Sequence, residues 1–427
     1  MAKLVIFVVA RNPNTPGGGY DPYVRAHARA AVRAGFEPHI FCRGSPPGVE
    51  ETDFGIVHQV ALPSWRRFLQ TRAKRLYFSQ FASMSQLWLK FDAPKLVGAL
   101  ESFVRANPGP HLVHGIGGWA YVGVALQERL RQADIKIVVI SSFYGSDGHH
   151  CDGKFLGLND SHSLWQRIRV HAEQRWARFA ITPLERHAYS KARMIIVNYK
   201  CVEEQFIDEF GTDVEVRRLP YASEEAFLCK SAAVAPETIR ALEPTEAPLI
   251  VSLSRHDPRK GVEILLRALG LLKQAGVPFR ACLVGRGELL HAHRLLAQNL
   301  GLGSTTVLTD LVPDPFSYLS CADIFVLPSI RESSGSLALL EALQAGIAVV
   351  ASDVDGIPED VKHGESALLV KSDNVTELAQ ALTNLLSNQD LRLRLANQGR
   401  ELFATRFSAD VFARAISATY AELGFAP

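Results

Sequence analysis

Short apolar runs rich in β-branched residues, each next to a stretch of helical composition, recur through most of this chain. In the first half they read KLVIFVVA, EPHIFCRG, HLVHGIGG, KIVVISSFYG and RMIIVNYK, with a helix expected from about Asp21 to Ala34 after the first. Strands buried on both faces show continuous rather than alternating apolar character, and such strands interleaved with helices build a parallel sheet covered on both sides. Over residues 222–248 the pattern breaks, and three prolines fall in a stretch without a sustained strand, which reads as a linker. The alternation then restarts with LIVSLSR, FRACLVGRG, TTVLTDLV, DIFVLPS and AVVASDV. The expectation is an α/β chain of two doubly wound parallel-sheet domains, 1–221 and 249–404, joined by 222–248 and facing a cleft. A last helix within 405–427, about Ala409 to Leu423, is expected to pack back on the first domain. Ligands of open α/β sheets sit at the carboxyl ends of the strands, so the loops there are where chemistry is sought.

Composition narrows the class. With 427 residues, 47% hydrophobic and 21% charged, the chain fits a globular enzyme of more than one domain. A net charge of +2 gives no global attraction to nucleic acid. Its six cysteines are scattered without metal-type pairing, which fits reduced thiols and a cytoplasmic setting. The opening MAKLVIFVVARN reads as a buried first strand rather than a signal peptide, because its apolar run is short and no small-residue cleavage site follows.

Three stretches in the second half carry candidate chemistry. SLSRHDPRKGVEILLRAL places Arg255 and Lys260 between a strand and a helix that begins near Gly261. Two cations beside helix amides suit a diphosphate, and a solvated basic turn would use the same residues. LVGRGELL puts Gly285 and Gly287 after a strand, either for close backbone approach to a ligand or for a plain turn. In DIFVLPSIRESSGSLALLEALQAG, Ser333 or Ser334 can cap a helix that Gly346 stops. Gly335, Ser336 and Leu337 would then form a first turn carrying about half a positive charge, an anion site. Glu332 precedes this turn and Glu341 follows two turns in; an ordinary amphipathic helix is the alternative.

In this order the stretches, with DVDGIPEDV and GESALLV, resemble the donor half of the retaining GT-B glycosyltransferases of family 4. The resemblance implies two Rossmann-like domains and a UDP- or GDP-linked sugar as donor, with no cofactor and no metal. It implies that Arg255 and Lys260 hold the donor pyrophosphate, that Gly335 to Leu337 cradle it, and that Glu341 accepts ribose hydroxyls. Glu332 would contact the transferred sugar, and Thr309 to Val312 would lie beside the base. The family's two glutamates are separated by seven residues, whereas eight intervene between Glu332 and Glu341. Counting back from Glu341 gives Ser333 and counting forward from Pro328 gives Glu332; a one-residue loop insertion favours Glu332.

The first domain resembles the acceptor half more loosely. Gly17, Gly18 and Gly19 match the family's N-terminal glycine loop and would admit donor phosphates and acceptor. His114, in HLVHGIGG, stands where the family carries an active-site histidine; a structural histidine at a strand end is the alternative. Tyr144 replaces a family histidine and could contact the acceptor sugar or plug the cleft. His149, His150 and Cys151 lack the spacing of a zinc site, and the Asp353–Asp355 pair looks like a metal-binding DxD but matches a family loop. Residues 54–91 hold six Lys or Arg and no Asp or Glu among aromatics, a segment suited to peripheral contact with an anionic membrane. Residues 164–193 hold seven basic and two acidic residues, as a solvated face or a pocket for an anionic acceptor. The reading is a retaining, metal-independent hexosyltransferase. A GT-B sugar-nucleotide epimerase and a non-catalytic nucleotide-sugar binder are the alternatives. The acceptor class is left open.

Overall fold

A computed structural model describes residues 3–14, 21–44, 46–61, 89–145, 164–211, 213–222, 236–312, 314–332 and 335–426. They form two α/β units: one from the chain up to residue 222 plus the last helix, the other from residues 236–408.

The first unit is built on an eight-stranded sheet in the order β3-β4-β2-β1-β5-β6-β7-β8. Its strands are β1 (Lys3–Arg11), β2 (Phe36–Gly44), β3 (Gly48–Thr52), β4 (Gly55–Ala61), β5 (His111–Ile116), β6 (Ile137–Ser142), β7 (Met194–Val197) and β8 (Glu215–Arg218). In β1, Val5, Ile6, Phe7 and Val8 are fully buried, which explains the uninterrupted apolar run. All neighbouring pairs are parallel except β3 with β4. That antiparallel hairpin and the edge strand β8 depart from the expected pattern. Their sequences, GVEET and EVRR, are polar because an edge strand buries little. Phe412, Ile416 and Tyr420 of the last helix (Ala409–Glu422) are buried at spacings of four, and this helix packs on Asp21–Arg33. Arg33 pairs with Asp410 across the same contact.

The second unit is built on a six-stranded, wholly parallel sheet in the order β11-β10-β9-β12-β13-β14. The strands are β9 (Leu249–Leu253), β10 (Arg280–Val284), β11 (Thr306–Thr309), β12 (Ile324–Leu327), β13 (Ala348–Asp353) and β14 (Leu368–Lys371). The helix Val262–Gln274 turns Leu265, Leu266, Leu269 and Leu272 into the core against Phe279, Leu382 and Leu385. Each such leucine contributes on the order of 1.5–3 kcal/mol by leaving water. The stretch read as a linker contains a short helix, Glu237–Arg240.

The strand order reverses between β1 and β5 in the first sheet and between β9 and β12 in the second. At these switch points the loops above neighbouring strands diverge and leave a crevice.

Candidate active site

In the second unit, two loops meet above the β9/β12 switch point. After β9, Asp257 caps the one-turn helix Pro258–Lys260 by accepting the Arg259 N–H at 3.1 Å. Burial pushes the Asp257 carboxyl up, but Arg259, Arg255 and Lys260 together hold it below its usual value. Gly261 follows at φ +59°, and a Cβ there would lie 1.9 Å from the Pro328 carbonyl oxygen, so only glycine lets this turn pass the end of β12. Arg255 is largely exposed and pairs with Asp257 at 3.2 Å.

Lys260 reaches the other loop. Its Nζ donates to both carboxylate oxygens of Glu332, at 2.5 and 2.7 Å, and Ser329 Oγ donates to Glu332 Oε1 at 2.6 Å. The side chains of Lys260 and Glu332 are 15% and 3% exposed, so this is a nearly buried ion pair whose geometry is fixed by added hydrogen bonds. The Arg259 carbonyl accepts the N–H groups of Ile330 and Arg331, tying the two loops together through backbone.

The helix after β12 begins later than the sequence suggested. It spans Leu337–Ala345, with Ser336 as an N-cap that makes no side-chain cap bond, and Gly346 ends it at φ +69°. Gly335, at φ +79°, stands outside the helix, because a left-handed residue cannot continue a right-handed turn. Glu341 is half-buried in the second turn. Ser333 and Ser334 lie outside the described residues. Gly285 proves to face protein: at φ +154°, a Cβ would lie 1.9 Å from the Ser254 carbonyl, so its turn packs on the loop that carries Arg255.

In the first unit a concavity opens above the β1/β5 switch point, lined among others by Arg11, Asp21, Trp119, Tyr144, Gly117 and Glu185. Arg11 and Asp21 are ion-paired, and the Arg43 guanidinium lies 5.3 Å from the Trp119 ring. Tyr144 contributes to the lining, but its hydroxyl turns inward to His27 Nε2 at 3.1 Å, and burial pushes its phenol well above the usual range.

His114 requires a correction. It is fully buried, with Nδ1 at 2.8 Å from the Tyr420 hydroxyl and Nε2 at 2.7 Å from Ser142 Oγ. Burial and the neighbouring His27 hold its pKa well below the usual value. Both ring nitrogens are thus engaged inside the core, which is the arrangement of the structural alternative. Gly17, Gly18 and Gly19, the triplet His149, His150 and Cys151, and residues 62–88 of the basic aromatic segment lie outside the described residues. In 164–193, Arg175, Arg178, Arg186, Lys191 and Arg193 are exposed. Among the described residues, no helix is long and apolar enough to cross a membrane, and no group of three His, Cys, Asp or Glu is placed to hold a metal.

Known proteins share both halves of this arrangement. The family description "Glycosyl transferase 4-like domain" matches residues 18–222, and "Glycosyl transferases group 1" matches 236–402. The chain belongs to the GT-B glycosyltransferases of family 4 type. It is 28% identical over 220 residues to a GDP-mannose-dependent alpha-(1-6)-phosphatidylinositol monomannoside mannosyltransferase of Mycobacterium tuberculosis, a match covering 49% of this chain and 56% of that one. To the lipopolysaccharide core biosynthesis glycosyltransferase LpsE of Rhizobium meliloti it is 30% identical over 180 residues, covering 42% and 50%. The chain thus spans about half the length of the curated relatives it matches. Among solved structures, sucrose-phosphate synthase of Thermosynechococcus elongatus superimposes with a TM-score of 0.70 at 21% identity, covering 99% of both chains. Anabaena HepE in complex with UDP and glucose gives 0.66 at 16% identity, covering 98% of this chain and 100% of that one. These likenesses establish the GT-B fold.

Proposed function

We propose that this chain is a retaining, metal-independent glycosyltransferase that moves a hexosyl group from a UDP- or GDP-sugar to an acceptor hydroxyl. The observation that carries the reading is the meeting of Lys260 and Glu332 above the β9/β12 switch point, in the loops that also carry Arg255 and lead into the helix Leu337–Ala345. Lys260, Arg255 and the helix amides would take the donor pyrophosphate. They would stabilise the negative charge that develops on the leaving nucleoside diphosphate, an electrostatic role that two cations and a helix dipole can fill. Glu341 would accept the ribose hydroxyls, and Glu332, oriented by Lys260 and Ser329, would hold the transferred sugar. The acceptor would enter the concavity of the first unit, against the Tyr144 ring and Trp119.

Calorimetric titration with UDP and GDP tests the site. One of them should bind the wild type, and Lys260→Ala should weaken that binding at least tenfold, the scale of a lost charge-assisted contact. Failure of both nucleotides to bind would overturn the reading. Product analysis with the matching nucleotide-sugar should show the donor's anomeric configuration kept and a rate unchanged by EDTA. An inverted product would remove the retaining assignment.

A further inference from the structure

Asp355 lies in the loop after β13 and is, with Asp373, one of two described non-glycine residues at positive φ (52° for Asp355). Asparagine and aspartate tolerate this region better than other side chains, but only glycine occupies it freely. A turn selected for backbone shape alone would be best served by glycine, so the carboxylate invites its own explanation. That carboxylate is 11% exposed and reaches into the neighbouring loop. Oδ2 accepts the Glu332 backbone N–H at 2.6 Å, and Oδ1 faces the Arg331 guanidinium at 3.3 Å.

Three consecutive amides of the 330–332 segment are therefore held, two by the Arg259 carbonyl and the third by Asp355. Glu332 itself is 5% exposed, so its N–H would be orphaned without this acceptor. The loop is also one residue longer than the family spacing, which leaves more backbone to be fixed. We infer that Asp355 is a positioning residue: its carboxylate fixes the backbone at Glu332, so that the Glu332 side chain meets Lys260 and both are set before a ligand arrives. A positively twisted aspartate held this way stores backbone strain beside a functional group. Its contribution to binding is preorganisation, since a ligand meeting a loose pair must order both side chains.

The inference rests on the donor-site reading, and the experiment separates the two. Asp355→Gly keeps the turn and removes the acceptor; Asp355→Asn keeps an acceptor oxygen and tolerance of positive φ. Amide hydrogen exchange over residues 328–337 and calorimetric binding of UDP and GDP are compared with the melting temperature. In Asp355→Gly the ease of glycine at positive φ offsets part of the cost of the orphaned amide, so this variant should melt within a few degrees of the wild type, exchange faster over 328–337 and bind the nucleotide about fivefold or more weakly. Asp355→Asn should stay within about twofold of the wild type. Unchanged exchange over 328–337 in Asp355→Gly overturns the inference, as does an equal loss of affinity in both variants. Wild-type protein that binds neither nucleotide defeats the donor reading instead, and the exchange measurement still decides the role of Asp355.

Discussion

Tyr420→Phe tests whether the last helix is part of the first unit's polar core. The hydrogen-bond chain that it would break is anchored at His27. The Tyr23 carbonyl can only accept, so His27 Nδ1, at 2.8 Å from it, carries a proton and Nε2 is the acceptor. His27 Nε2 receives a hydroxyl proton, with Ser142 and Tyr144 both at 3.1 Å. Ser142 Oγ also pairs with His114 Nε2 at 2.7 Å, and His114 Nδ1 pairs with the Tyr420 hydroxyl at 2.8 Å, so that either tautomer of His114 completes the chain. Tyr420→Phe removes the partner of Nδ1 in both tautomers and strands a buried nitrogen, at a cost of about 1–3 kcal/mol. For a unit of this size each kcal/mol moves the melting midpoint by about 2–4 °C, so a fall of about 2 to 12 °C is expected. Trp119 is buried in the first unit, so its fluorescence reports on that unit. An unchanged fluorescence midpoint would refute the buried pairing of His114 with Tyr420. A variant of unchanged stability that lost nucleotide binding would return His114 to the reacting centre.

Gly261→Ala should destabilise the second unit by about 2 kcal/mol or more, read from urea unfolding followed by far-ultraviolet circular dichroism, because both the positive φ and the Pro328 carbonyl oppose a Cβ. Glu332→Gln should weaken nucleotide-sugar affinity in calorimetry while Ser329→Ala has the smaller effect, since only the former removes the partner charge of Lys260. Acid should loosen the first unit before the carboxylates titrate. His27 has its pKa lowered by burial from 6.5 to about 4, so the unfolded chain binds the extra proton. Stability is then full above about pH 6.5 and lost as pH falls through about 4, by roughly 3 kcal/mol from this ring alone, and a fluorescence midpoint that stayed level from pH 7 to 4 would contradict it.

What the sequence carried legibly was what period and burial write into it. The strands of the second unit are short apolar runs because they are covered on both faces, and the helix Asp21–Arg33 follows its strand at the expected place. Arg255, Lys260 and Glu332 could be singled out because they fall in loops at the carboxyl ends of strands, where ligands of open α/β sheets sit. The polar hairpin edge of the first sheet was not legible, since GVEET resembles a loop when only one side is paired. Nor was the helix start at Leu337: serines that could cap an earlier turn are outvoted by Gly335 in the left-handed region. His114 was misplaced for a different reason. Its partner Tyr420 is 306 residues away, and no local pattern announces a hydrogen bond at that separation. Asp21 and Glu185 could have been noticed as acids in otherwise basic or apolar surroundings.

The two units repeat one solution with different chemistry. In each sheet the chain starts in the middle, builds outward, and returns to the other side of its first strand, so the crevice falls above the first strand and its later neighbour. In the second unit that crevice is furnished by the loops after β9, β12 and β13, with a lysine, a glutamate and an aspartate binding loop to loop. In the first unit the equivalent strand β5 turns its histidine down into the core instead, where the returning C-terminal helix supplies the missing partner. The polar groups left to face the crevice come from the strand ends and the following helices, Arg11, Asp21 and Glu185 among them. Residues two apart on a strand share a face, so the difference between a core histidine and a site residue on β5 is how far along the strand it sits rather than which face it takes. Ile116 and Gly117, two and three residues beyond His114, are the ones that line the concavity.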